Sequence, residues 1–143
     1  SDARVAFRSL RPEEVAFPRG VSDIEKYTDK KGPDGYTKGT PIHVRAAILY
    51  NQTIINNKLE RKYPLINSGD KIKFAYLKVP NRIKENVFAF PDILPVELNL
   101  EKFIDYDKQF DKSYLEPMNQ SSKLTKRKQK IHHHRLMKMI SIA

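Results

Sequence analysis

The chain has 143 residues, with 27 Lys and Arg against 17 Asp and Glu, 39% hydrophobic residues, nine prolines, five glycines and no cysteine. That length suits one domain of ordinary size or a part of a larger machine. The missing cysteine excludes a disulfide scaffold, a thiolate nucleophile and any Cys-ligated zinc or iron–sulfur site.

In residues 1–17 the apolar positions Val5, Phe7, Leu10, Val15 and Phe17 are scattered, which predicts at most a short helix. Ser22 and Glu25 have the spacing of a capping box, in which hydroxyl and carboxylate each satisfy a free backbone N–H at a helix start. The helix they would begin is short, because Asp29-Lys30-Lys31-Gly32-Pro33-Asp34-Gly35 is a loop dense in turn formers. Arg19-Gly20 reads as part of a loop leading into that helix.

Thr40-Pro41 predicts the next start, with Thr40 as N-cap and proline at the first helical position. Ile42, Val44, Ala46, Ala47, Ile48, Leu49, Ile54 and Ile55 spread round most of the cylinder. So broad an apolar surface predicts a helix buried among neighbours and ending near Asn56-Asn57. Asn67-Ser68-Gly69-Asp70 is a turn signal. From Lys71 to Leu77 polar and apolar residues alternate at first, the period of a half-buried strand, and Asn86 to Phe90 reads as its antiparallel partner. Beyond Pro95, Leu100, Phe103, Ile104, Phe110, Tyr114 and Leu115 recur at helical spacing, as one amphipathic helix or a broken pair. The expected class is α+β, mainly helical, with a small antiparallel hairpin or sheet.

Composition changes abruptly after Met118. Residues 119–143 hold seven Lys and Arg and no acid, leaving 20 basic against 17 acidic residues, a net of +3, in residues 1–118. The division expected is a folded domain over 1–118 and a basic tail over 119–143, disordered or loosely helical. No apolar run approaches the ~18 residues of a membrane-spanning helix and no signal-like stretch is present, so a soluble protein inside the cell with no membrane partner is expected.

No GxGxxG, P-loop, HExxH or GxSxG pattern occurs. Asp107 and Asp111 would share a helix face able to hold a divalent cation, but Lys108 and Lys112 beside them favour a salt-bridged solvated face. His132, His133 and His134 are adjacent, and regular structure cannot turn all three to one ion. No autonomous catalytic site is expected, nor a metal held by this chain.

The cations of the body carry more information. Arg19 precedes a helix start; Lys30, Lys31 and Lys38 lie in or beside a glycine-containing loop; Lys71, Lys73 and Lys78 stand on a strand, with Arg82 and Lys84 at its hairpin turn. Such groups can grip a sugar-phosphate backbone without reading bases. His43 and Arg45 are two helical positions apart and point roughly 200° from each other, so one is expected to anchor neighbouring loops while the other reaches outward.

Phe17-Pro18-Arg19-Gly20-Val21-Ser22-Asp23-Ile24-Glu25-Lys26-Tyr27 resembles the palm-to-thumb passage of phage replicative family B DNA polymerases. Lys38-Gly39-Thr40-Pro41-Ile42-His43-Val44-Arg45 is similar to the thumb helix of that family, with its Pro-x-His-[Ile/Val]-Arg pattern. Gly69-Asp70-Lys71-Ile72, the strand up to Pro91 and the segment 105–118 continue the match in order. The resemblance implies a thumb domain that binds primer–template duplex DNA in a phage-infected bacterial cell. It implies that Mg²⁺ and the catalytic carboxylates belong to palm and exonuclease domains elsewhere, including on a separate chain, since no such motif is present. The family's acidic, aromatic clamp-docking end has no counterpart in the basic residues 119–143, so that tail reads as a non-homologous end and clamp contact does not carry over.

The candidate DNA-binding set is therefore Arg19, Lys30, Lys31, Lys38, His43, Arg45, Lys71, Lys73, Lys78 and Arg82, expected to converge on one concave wall. A small basic RNA- or ribosome-associated protein driven by its tail, or a protein-interaction module, are the rival readings.

Overall fold

The computed structural model describes residues 2–114. Residues 115–143, with the basic tail and its three histidines, lie outside the described residues.

The order of elements is α1 (Asp2–Phe7), α2 (Pro12–Val15), β1 (Phe17–Gly20), α3 (Ile24–Tyr27), α4 (Ile42–Asn56), β2 (Lys71–Tyr76), β3 (Val87–Phe90) and α5 (Tyr106–Tyr114). Two 3₁₀ turns, Val96–Leu98 and Glu101–Phe103, occupy the approach to α5. The class is α+β with a small antiparallel sheet, as the sequence suggests, and the sheet has three strands in the order β1-β2-β3. β2 and β3 pair with Lys73 opposite Phe90 and Tyr76 opposite Val87.

The additional strand is β1, where a loop was expected. Proline and glycine depress strand propensity in Phe17-Pro18-Arg19-Gly20, yet β2 supplies a partner over the whole segment, from Phe17 opposite Phe74 to Gly20 opposite Lys71. Proline is tolerated there because β1 is an edge strand. The pairing runs on past the strand: Val21 N–H donates to Asp70 O at 3.0 Å and Gly69 N–H to Val21 O at 2.7 Å. Gly69 sits at φ +96°, a turn conformation that glycine adopts without a Cβ penalty.

α3 begins differently from the capping box read in the sequence. Asp23, in the left-handed region at φ 59°, is the boundary residue, and its side chain makes no capping bond. Ser68 does the work instead: its Oγ accepts from Ile24 N–H at 2.9 Å and donates to Glu25 Oε2 at 2.8 Å. A residue from the turn before β2 thus replaces Ser22. At α4 the boundary falls on Pro41, not Thr40, whose hydroxyl donates to Thr37 O at 2.6 Å. The helix then runs to Asn56, as its apolar pattern indicates.

α4 packs chiefly against β3. Ala46 and Ala47 of the helix are fully buried, small side chains that let it approach the sheet closely. Asn51 ties the chain beyond α4 to the helix, donating to Ile66 O and accepting from Ile66 N–H. Tyr50 Oη adds a bond to Pro64 O at 2.8 Å.

On the other flank, α5 is locked by Gln109, which is wholly buried. Its Oε1 accepts from Tyr76 N–H and its Nε2 donates to Val15 O, both at 2.8 Å, so one side chain joins α2, β2 and α5. Asp105 Oδ1 accepts from Lys108 N–H at 3.0 Å at the start of α5, an N-terminal capping bond worth about 1 kcal/mol. The carboxylates of Asp107 and Asp111 face α1: Arg4 bonds both, at 3.1 and 2.6 Å, and Arg8 bonds Asp107 at 2.7 Å. The salt-bridged face foreseen for α5 exists, with arginines of α1 as its partners.

Candidate nucleic-acid interface

Strand alternation sorts the cations. Residues directly opposite each other share a face, and neighbours along a strand do not. Arg19 is paired with Ile72 and so projects on the face of Ile72, Phe74 and Tyr76; Lys71 and Lys73 project on the other. The ten candidates therefore do not form one wall, and the expected convergence is replaced by smaller groupings.

One grouping lies on the Lys73 face. Lys73, Arg82, Arg11 and Lys102 line a groove of about 700 Å³, floored in part by Leu94 and Leu100. Glu13, Asp92 and Glu101 also line it, and Glu13 is held by Leu94 N–H at 3.2 Å. Lys73, Arg82 and Lys102 have no ion pair among the described residues, while Arg11 pairs with Glu14 at 3.1 Å. Lys71 is exposed at the start of β2, and Lys78 is exposed just past its end, its N–H donating to Phe103 O at 2.7 Å. Lys78 is thus beside the strand rather than on it.

A second grouping joins β1 to α4 and α5. The Arg19 guanidinium lies 5.7 Å from the Phe74 ring centre and 6.0 Å from that of Phe17. Phe74 neighbours Tyr76 at 6.0 Å between ring centres, and Lys108 and Lys112 place their ammonium groups 4.6 and 5.0 Å from the Tyr76 ring. His43, half-buried on the first turn of α4, is within electrostatic reach of Arg19. Burial, then the Arg19 charge, pushes its imidazole below the ordinary range, so it is neutral at pH 7.

Arg45 belongs to neither surface. Its guanidinium donates to Glu85 Oε2 at 2.8 Å and to Asn86 Oδ1 at 3.0 Å, with Glu85 also accepting from Tyr36 Oη at 2.8 Å. Of the pair His43 and Arg45, it is Arg45 that organises loops. Lys30, Lys31 and Lys38 are exposed on the connection between α3 and α4. That loop is shaped by Asp29, whose Oδ1 accepts from the N–H groups of Lys31 and Gly32. Lys30 lines a separate cavity of about 390 Å³ against Ile48, Gln52 and Ile55 of α4, away from the groove of Lys73 and Arg82.

Arg11, Lys102, Lys108 and Lys112 join the candidate surfaces although the sequence reading did not select them. Only the last two carried a signal, since residues four apart share a helix face; Arg11 and Lys102 reach the groove through tertiary packing alone. Comparison of the sequence with protein-family models and with curated proteins returns no match.

Proposed function

We propose that the domain grips duplex DNA along its sugar-phosphate backbone without reading base sequence, as the thumb of a phage-type family B replicative polymerase does for primer–template. The supporting observation is the charge arrangement of the β2–β3 hairpin. Between Lys71 and Phe90 it carries five cations, Lys71, Lys73, Lys78, Arg82 and Lys84, and a single acid, Glu85. That acid is turned inward to Arg45 and Tyr36. The hairpin's own acid is thus engaged elsewhere, and its five cations outnumber Glu13, Asp92 and Glu101, the acids that share the groove with Lys73 and Arg82, which suits a polyanion.

In this reading the domain positions DNA and another part of the polymerase performs nucleotidyl transfer. The carboxylates here do not fit the Mg²⁺ ions of that reaction. Asp107 and Asp111 are bonded to Arg4 and Arg8, Asp105 caps α5, and no group of three metal-ligating side chains gathers among the described residues.

The test is a salt titration of the full chain on duplexes of unrelated sequence, read by fluorescence anisotropy. With four hairpin cations on phosphates, log K falls against log salt with a slope of about −3.6, equally for each sequence. A strong preference for one sequence, or affinity indifferent to salt, overturns the reading. Repeating the titration without residues 119–143 separates it from tail-driven RNA binding, because a tail-driven protein loses nearly all affinity.

A further inference from the structure

The groove lined by Lys73 and Arg82 holds more than a phosphate backbone can use. Asp92 and Glu101 share its lining with Lys73, Arg82 and Lys102, and none of these five side chains makes an ion pair among the described residues. Opposite charges thus face one cavity without neutralising each other. The wall from α2 is fixed: Glu13 Oε1 accepts from Leu94 N–H at 3.2 Å, and Arg11 pairs with Glu14 at 3.1 Å. The floor is apolar, with Leu94 and Leu100 buried in it. Of the five large apolar side chains exposed among the described residues, two, Ile93 and Val96, line this same groove. Its volume of about 700 Å³ is within the range of a small-molecule site.

A surface built for phosphates alone gains nothing from carboxylates, which repel them, nor from an apolar floor. A duplex brings little else, because its base faces are stacked and its pairing edges are occupied. An unpaired nucleotide brings three chemistries at once. Its phosphate matches the cations, its base face covers apolar surface, and its exocyclic amino group donates to a carboxylate, as cytosine N4 does to Asp or Glu. The groove is also continuous with the hairpin, since Lys73 and Arg82 belong to both, so a strand held there by its phosphates has the groove beside it.

We propose that this groove seats an unpaired nucleotide at the end of a DNA duplex. Lys73, Arg82 and Lys102 take its phosphates, Asp92 or Glu101 takes the amino edge of its base, and Ile93 and Val96 lie against the base face. The duplex end as its source rests on the duplex-binding reading; a free mononucleotide carries the same chemistry, and titration with each separates the two.

The experiment compares three DNAs on the full chain by fluorescence anisotropy: a blunt duplex, the same duplex with an overhang of deoxycytidines, and one with an overhang of thymidines. The methyl NMR signals of Ile93 and Val96 report occupancy, and deoxycytidine monophosphate is titrated separately. The cytidine overhang should bind roughly tenfold tighter than the blunt end and should shift both methyl signals. It should also bind tighter than the thymidine overhang, whose base has no amino group to donate. Asp92→Ala with Glu101→Ala alters two exposed side chains that make no hydrogen bond among the described residues, so its melting temperature should match that of the parent. The double variant should bind the blunt duplex as tightly as the parent or more so, because two repulsive charges are gone, yet lose most of the overhang advantage.

A double variant that keeps the full overhang advantage overturns the seat. So do methyl signals indifferent to both overhang and mononucleotide, the result expected of a groove made for peptide. The duplex reading survives either outcome if the blunt duplex still shows its steep salt dependence. A mononucleotide that shifts both signals while the overhang adds nothing to a bound duplex overturns the strand-end assignment in favour of free nucleotides. The same shifts in a protein that binds no duplex of any kind keep the nucleotide chemistry of the groove and overturn duplex binding.

Discussion

Arg45 and Glu85 form an ion pair at 2.8 Å with both side chains about four-fifths buried. The pair holds the connection between β2 and β3 against α4, and Tyr36 and Asn86 complete its hydrogen bonds. Removing one member leaves the other charge buried and unpaired, so Arg45→Met should cost about 3 kcal/mol. Arg45→Met with Glu85→Gln should recover a large part, since neither charge is then stranded. Urea denaturation of the two single variants and the double variant gives the coupling.

Acid should weaken the fold in a window set by Glu97. Hydrogen bonds from Tyr63 Oη at 2.6 Å and Lys62 Nζ at 2.9 Å hold its carboxyl at about 2, well below the usual carboxylate range. A carboxyl with a depressed folded-state pKa contributes stability that is present above the unfolded value, near 4.5, and is lost as pH falls toward 2. Glu97→Gln should therefore flatten the pH dependence of the urea midpoint between about pH 5 and pH 2. Glu25 and Asp107, also held low, the former chiefly by Ser68 and the latter chiefly by Arg8, titrate in the same sense and leave a remainder in that variant.

Gln109 makes two buried bonds to main-chain atoms that have little chance of meeting water. Gln109→Leu keeps most of the volume but strands Tyr76 N–H and Val15 O. Each unsatisfied group costs about 1–3 kcal/mol, so a loss of about 2–4 kcal/mol is expected. Hydrogen exchange at the Tyr76 amide should accelerate more than exchange at Phe88, which lies in β3 and does not depend on that side chain.

On the groove face, Lys73→Gln and Arg82→Gln should each weaken duplex binding by a similar factor on every sequence. Each should reduce the magnitude of the salt slope by about 0.9. Arg61→Gln, an exposed cation outside both candidate surfaces, should leave the slope unchanged. A base-dependent loss at either groove residue would mean that it reads sequence, contrary to the proposal.

The legible parts of the fold were those in which local pattern and tertiary environment agree. α4 announced itself through its apolar run and β2 through alternation, while Val87 to Phe90 stood out as an apolar run closed by Pro91. β1 did not, because Pro18 and Gly20 argue against a strand and only the Lys71–Phe74 partner makes it one. The Ser68 cap was invisible for a similar reason: its bond to Ile24 spans 44 residues, beyond any spacing rule. The same holds for the surfaces. Nothing near Arg45 in the chain reveals that Glu85 will neutralise it, and alternation can place Arg19 and Lys73 on opposite faces only once the register is known. Cation counts located the basic hairpin; pairing decided which charges remain outward.

Pro18 has a bearing on how copies of this domain behave beside one another. A strand laid along the side of β1 that no described strand pairs would need a regular series of donors, and the residue opposite Lys73 offers none. At four residues, with an arginine and a glycine completing the stretch, that margin is a poor template for sheet extension, and the domain carries its own safeguard against fibrous self-association at concentration.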